Sequence, residues 1–193
     1  MFLLPGKSWY VKKTKSTGLG IFTKAKIRAG TVIGDYLGRV IKTADYDIEQ
    51  DRHGLFLMYY TDTFSIYPDI QKPGIHLINH SCTPNSWIYI HRGHTLFFAL
   101  RDIAPGEELT ISYLLSPKDE TCNPCTHICS CESSNCSGSM HLSQKKYDRW
   151  QEFQKTHKLG SRVAPCKTGE YLRELPHYPK QIPIDPIYAS IIE

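Results

Sequence analysis

Residues 78–86 read Ile-Asn-His-Ser-Cys-Thr-Pro-Asn-Ser, setting an amide, an imidazole, a hydroxyl and a thiol on consecutive positions ahead of a proline. Turn chemistry accounts for Thr83, Pro84 and Asn85, because proline presets φ and short polar side chains bond their own backbone. It gives no reason for His80 or Cys82. Those two side chains need partners from elsewhere in the chain.

The cysteine distribution says where to search. Of seven cysteines, five fall within residues 122–136, CNPCTHICSCESSNC. An odd, clustered set argues against a secreted disulfide framework and favours metal. The pattern Cys129-x-Cys131-x4-Cys136 puts three thiolates on a tight, serine-rich loop, and a closed tetrahedral zinc shell wants a fourth ligand. Cys82 can supply it if the fold brings the two segments together. Cys122 and Cys125 form a rival C-x2-C pair, and His127 or His141 could also coordinate, so the spacing leaves the ligand set open.

Composition is that of a soluble globular protein: 40% hydrophobic and 22% charged over 193 residues, long enough to bury a core. Disorder and collagen are excluded. The opening MFLLPG is too short for a signal-peptide core and no apolar run approaches membrane-spanning length, so the expectation is an intracellular protein, or one exported by a route that leaves no readable signal, without a membrane partner. The net charge of +4 is mild, and the clusters at Lys12, Lys13, Lys15 and at Lys145, Lys146 read as solvated faces.

Six stretches rich in aromatic and β-branched residues predict strands at 9–14, 31–41, 55–61, 85–91, 95–102 and 108–113, each punctuated by Gly, Pro, Asn or Asp. No helices alternate with them, which argues against a doubly wound nucleotide-binding sheet. The Gly18-Leu19-Gly20 triplet alone reads as a hairpin turn, since nothing completes a dinucleotide fingerprint. Residues 143–159 predict a helix with Ser143 at the N-cap, and its Tyr147, Trp150 and Phe153 read as packing surface. Five prolines from position 165 onward make the tail extended and non-helical, draped over the body or disordered.

Five motifs in order, GLGIF (18–22), IRAGTVIGDYLGRVI (27–41), LINHSCTPN (77–85), LRDIAPGEELTISY (100–113) and CSCESSNCSG (129–138), resemble the SET-domain protein lysine methyltransferases with a post-SET zinc loop. The resemblance covers about residues 8–138. It implies a mainly β fold, a SET-type β-clip of small curved sheets in which the Asn-His-Ser-Cys segment enters a pseudoknot, followed by a zinc-bound loop. With the helix and prolines read from the residue pattern beyond it, the expected parts are a SET domain over 1–115, the zinc loop over 116–139, and a C-terminal helix with a proline-rich tail over 140–193.

The resemblance also implies roles. S-adenosylmethionine would be the methyl donor, held by Gly18, Leu19, Gly20, Asn79, His80 and Tyr113. Tyr113 and Tyr36 would be the catalytic pair, one orienting the amine and one lining the lysine channel. Cys82, Cys129, Cys131 and Cys136 would hold a structural zinc. The acceptor would be a protein or peptide lysine, a histone tail first among them, with a nucleosome as a larger partner and a nuclear or chromatin location. His76 and Leu77 stand where the family often has Arg and Phe, and Ile111 and Ser112 where it often has Phe and Asp. Position 111 belongs to the set that tunes how many methyl groups are added; neither Ile111 nor Ile88 carries a hydroxyl, so products beyond monomethyl-lysine are expected. Competing readings are an inactive SET module that binds a peptide or chromatin partner, and a zinc-stabilised nucleic-acid binder. The second lacks a visible recognition helix or broad basic face, so sequence-specific nucleic-acid binding is not expected. A Cys-His nucleophilic enzyme on His80 and Cys82 is set aside because no third group is evident to orient the pair.

Overall fold

The computed structural model describes residues 1–46, 56–120, 122–156 and 166–192. Ten short strands make four small sheets: β1 (Trp9–Lys13) with β2 (Leu19–Thr23), β3 (Val32–Asp35) with β9 (His94–Ala99) and β8 (Ser86–His91), β4 (Arg39–Lys42) with β6 (Phe64–Tyr67) and β5 (Met58–Tyr59), and β7 (Asn79–His80) with β10 (Thr110–Ile111). The β7–β10 pair is parallel; the other pairings are antiparallel. Two α-helices stand among the described residues, α1 (Gln144–Thr156) and α2 (Ile187–Ile192). The mainly β class and the small sheets agree with the expectation from sequence.

Strand β9, in the middle of the β3–β9–β8 sheet, is buried on both faces, which explains its apolar run Leu96–Ala99. All six of its residues are buried. Alternation sends Phe97 and Ala99 into a core with Ile21, Ile33, Val40, Ile66, Ile78 and Leu109. Leu96 and Phe98 face the other way, into a second core with Trp87, Trp150, Phe153, Ile182 and Tyr188. Helix α1 supplies Trp150 and Phe153, three apart on one face, with Trp150 edge-on to Trp87 at 5.8 Å. Its start is capped by Ser143, whose Oγ accepts the Lys146 N–H at 3.4 Å. The expected residues 157–159 of this helix lie outside the described residues.

Several elements differ from the sequence reading. The predicted strand 31–41 is two strands broken at Tyr36-Leu37-Gly38, because a Cβ on Gly38 would stand 2.2 Å from the Tyr67 carbonyl oxygen: the backbone crosses too close for any side chain. Strands β2 and β6 were not anticipated. The tail is extended, as predicted, but it is part of the fold. Bridges join Arg39 to Tyr171 and Thr31 to Gln181, Leu172 and Ile182 are buried, and Tyr178 donates its hydroxyl to the buried Asp35 carboxylate at 2.9 Å. Its last described residues form α2 instead of continuing extended.

Candidate active site and metal centres

The parallel pairing of β7 with β10 places Asn79 beside Thr110 and His80 beside Ile111. A side chain locks this pairing. Asn85, expected only as a turn residue, is buried; its Oδ1 accepts the Thr110 N–H at 3.0 Å and its Nδ2 donates to the Glu108 carbonyl at 2.7 Å. The amide thus imitates a neighbouring strand and satisfies two backbone groups at once. Asn79 donates through Nδ2 to the Glu108 carboxylate at 2.7 Å and to the Leu19 carbonyl at 3.1 Å. Gly20 makes room for this contact, since a Cβ there would stand 2.4 Å from Glu108 Oε1.

His80 connects the cleft to the cysteines. Its Nδ1 accepts the backbone N–H of Tyr113 at 3.1 Å, which leaves the proton of the neutral ring on Nε2, 3.6 Å from the Cys82 sulfur. Burial holds the ring neutral, lowering its pKa to about 4. His80 and Cys82 therefore do touch, but the sulfur faces three other thiols. Cys82 Sγ lies 3.7 Å from Cys129 and 4.0 Å from Cys136, and the Cys82 N–H points at Cys131 Sγ from 3.4 Å. The sulfur–sulfur edge of a tetrahedral zinc–thiolate site is ~3.8 Å for bonds of about 2.3 Å. The four sulfurs fit that shell, with backbone N–H groups of Cys82 and Gly138 aimed at thiolates from outside. Burial opposes ionisation of Cys131, but the Cys82 N–H and the Ser133 hydroxyl and N–H outweigh it and bring the thiol down to about 6. Burial pushes Cys129 up.

A second cluster gathers Cys122, Cys125, His127 and His141, their ligand atoms all within 4.8 Å of one another. The two clusters are separate, which resolves the open choice between Cys129-x-Cys131 and Cys122-x2-Cys125: each pattern has its own partners. Cys166 belongs to neither and lies near Glu170 and Tyr171.

Two cavities meet at this place. One, of about 670 Å³, is lined by Gly18, Leu19, Asn79, His80 and Tyr113 from the body and by residues 126–131 of the cysteine segment. The other, of about 530 Å³, is lined by Tyr36, Ile88, Phe97, Ile111 and Tyr113, with Tyr147 and Trp150 of α1. Tyr113 and His76 are the residues that line both. Gly20 lines neither. Burial pushes the Tyr113 phenol up to about 12 and holds that of Tyr36 well above its ordinary value, so both hydroxyls stay protonated; that of Tyr36 donates to the Phe56 carbonyl. Across the mouth of the first cavity the turn at residues 14–18 reaches the cysteine loop, where Ser16 Oγ donates to the Ser130 carbonyl at 2.9 Å.

The SET domain family profile matches residues 18–114, half of the chain. The chain belongs to the SET-domain family. Similar proteins include a variant-silencing SET domain-containing protein of Plasmodium falciparum, 33% identical over 72% of the chain and 6% of that protein. An H3 lysine-36 specific histone-lysine N-methyltransferase of Candida glabrata is 32% identical over 66% of the chain and 19% of its own length. An H3 lysine-9 specific histone-lysine N-methyltransferase of Schizosaccharomyces pombe is 36% identical over 65% and 31%. The chain thus matches a third or less of the length of these relatives. The SET match ends one residue past Tyr113, so both cysteine clusters draw most of their ligands from outside it.

Sequence reading missed the contribution of α1 to the site. The helical pattern marks Tyr147 and Trp150 as packing surface, and Trp150 does pack on Trp87, yet both also line the second cavity. The signal that could have found them is the lengthwise stripe Tyr147, Trp150, Gln151, Gln154, in which polar residues interrupt the aromatic face. Among the described residues no helix is long and apolar enough to cross a membrane.

Proposed function

We propose that the chain is an S-adenosylmethionine-dependent protein-lysine N-methyltransferase whose acceptor is a lysine of a protein, with a histone tail the first candidate and chromatin the expected location. The observation that carries this reading is the pair of cavities sharing Tyr113: one with an open backbone at Gly18, where an added Cβ would meet nothing within 4 Å, and one lined by Tyr36, Ile88, Phe97 and Ile111. Two cavities that share Tyr113 and His76 suit a reaction between two substrates, one held in each. SET relatives named as histone-lysine methyltransferases support the same class.

Gly18, Leu19, Asn79, His80 and Tyr113 would hold the donor, which when bound supplies a methyl group on a positively charged sulfur. Tyr36, Ile88, Phe97, Ile111 and Tyr113 would surround the acceptor side chain. Transfer breaks the methyl–sulfur bond as the amine lone pair forms the carbon–nitrogen bond, so the amine must first give its proton to solvent. With a reference pKa of about 10.4, that costs roughly 4 to 5 kcal/mol at neutral pH. The buried side chains of Tyr36, Phe97 and Ile111 in the second cavity favour the neutral amine by desolvation. The Tyr113 and Tyr36 hydroxyls, kept protonated by burial, would orient it, and alignment would supply most of the acceleration. Cys82, Cys129, Cys131 and Cys136 would hold a structural zinc that fixes residues 129–131 as a wall of the donor cavity.

The test is transfer of labelled methyl from S-adenosylmethionine to histones and to fractionated lysate proteins, beside Tyr113→Phe. Label on lysine that the substitution abolishes is expected. Donor binding without transfer to any acceptor would leave an inactive binding module.

A further inference from the structure

The segment that walls the donor cavity has almost no apolar core of its own. Of residues 122–140, Cys129 alone is buried. Such a stretch keeps a defined shape through cross-links instead of hydrophobic burial. The four-thiol cluster can fix residues 129–136 but does not reach residues 122–127 or His141. These are arranged around a point of their own. Cys122 Sγ lies 3.5 Å from His127 Nδ1 and 3.4 Å from His141 Nε2, and Cys125 Sγ lies 4.0 Å from His127 Nδ1. A tetrahedral zinc ion with bonds of about 2.3 Å to sulfur and about 2.0 Å to nitrogen has a sulfur–nitrogen edge of ~3.5 Å.

The imidazoles are oriented for this role. His141 Nδ1–H donates to the Ser116 carbonyl at 2.6 Å, which leaves the Nε2 lone pair facing the sulfurs. Backbone carbonyls take this position behind metal-bound histidines and fix their tautomer. The two rings stand at 89° with centroids 5.0 Å apart, so they do not stack; their nitrogens converge on the cysteines. The ligands also come from two separate stretches. His141 is anchored by a bridge to Leu115, and the Met140 N–H donates to the His127 carbonyl at 2.9 Å.

We propose that Cys122, Cys125, His127 and His141 form a second zinc site, distinct from the four-thiol cluster, that clamps residues 126–128 against the donor cavity. Two thiolates and two imidazoles in a closed tetrahedral set suit zinc among the common divalent ions. The ion ties the stretch just past the SET-matched region, at Leu115 and Ser116, to the start of α1. Thr126, His127 and Ile128 line the donor cavity, so the site would keep that wall in place.

Metal content decides this without reference to methyl transfer. The full chain is purified with zinc under reducing conditions and weighed intact by native mass spectrometry. Two zinc ions per wild-type chain are expected, one in Cys122→Ser and one in His141→Ala. Cys131→Ser is expected to keep one as well. Because a variant can fail to fold, the metal-free wild type is also titrated with cobalt(II). Two steps with separate spectra are expected, one of four-thiolate type and one with the weaker sulfur charge-transfer band of a two-thiolate site. One zinc in the wild type, two in either the Cys122 or the His141 variant, or a single cobalt step would overturn the proposal. A Cys122–Cys125 disulfide that persists in reductant would do the same.

Discussion

Every residue of β9 is buried, whereas over residues 122–140 only Cys129 is. The first region is held by its position between two apolar cores, the second by thiols and imidazoles converging on two points. The donor cavity lies on the seam, with Asn79, His80 and Tyr113 on one side and residues 126–131 on the other. One wall of the site is therefore a product of hydrophobic folding, and on the proposed reading the other depends on metal ligation. The two halves should fail independently.

The largest effect should come from removing metal. Structural zinc in small sites contributes about 10–16 kcal/mol of apparent binding free energy, so chelation should collapse the cysteine segment. Hydrogen exchange should show protection lost across residues 122–141 and kept in β3, β8 and β9, with methyl transfer abolished. Loss of protection in all regions together would mean that the halves are not independent.

Tyr113→Phe works from the other side of the seam. Loss of one positioned hydroxyl should lower kcat by about 100-fold or more, with zinc content and melting temperature near wild type. Next in size is Asn85→Ala. It leaves the Thr110 N–H and the Glu108 carbonyl without their partner, which should destabilise the body by about 2 to 4 kcal/mol in denaturant melts, again without loss of metal.

The pH profile sharpens the assignment further. Burial raises the Tyr113 phenol to about 12, so its hydroxyl form persists below that pH and it contributes no falling limb in the assay range. The group that must lose a proton is the acceptor amine, and single-turnover rates should rise with pH by about tenfold per unit until that amine is neutral. A fall in rate between pH 9 and 10 in folded enzyme would contradict the tyrosine assignment. The subtlest expectation concerns products: with Ile88 and Ile111 in the acceptor cavity, exhaustive reaction should give di- or trimethyl-lysine by mass spectrometry, and monomethyl-lysine alone would refute it.

The body was legible where a local pattern carries the structure. The run around Leu96–Ala99 announced a strand, and the Asn79–Cys82 motif announced side chains that need partners from elsewhere in the chain. What escaped depended on distant partners. The Leu19–Thr23 strand hides behind two glycines, one of which is there because Glu108 and Asn79 need the space. Asn85 looks like a turn residue until the strand it imitates arrives from residues 108–110. The tail prolines marked extended chain correctly, but nothing local to Tyr178 foretells the buried carboxylate of Asp35, far away in sequence. The cysteine segment was recognisable as a candidate metal site while its division into two clusters was not, because spacing alone does not say that His141 is brought back to Cys122 by a bridge to Leu115.

The central claim is that Cys82 joins the hydrophobically built wall to the ligand-built one beside the donor. Calorimetric titration of S-adenosylmethionine into wild type and Cys82→Ser tests it most directly. The account predicts donor binding weakened by at least about tenfold while the body stays folded. Unchanged donor affinity in a variant that has lost the ion between Cys129, Cys131 and Cys136 would contradict it.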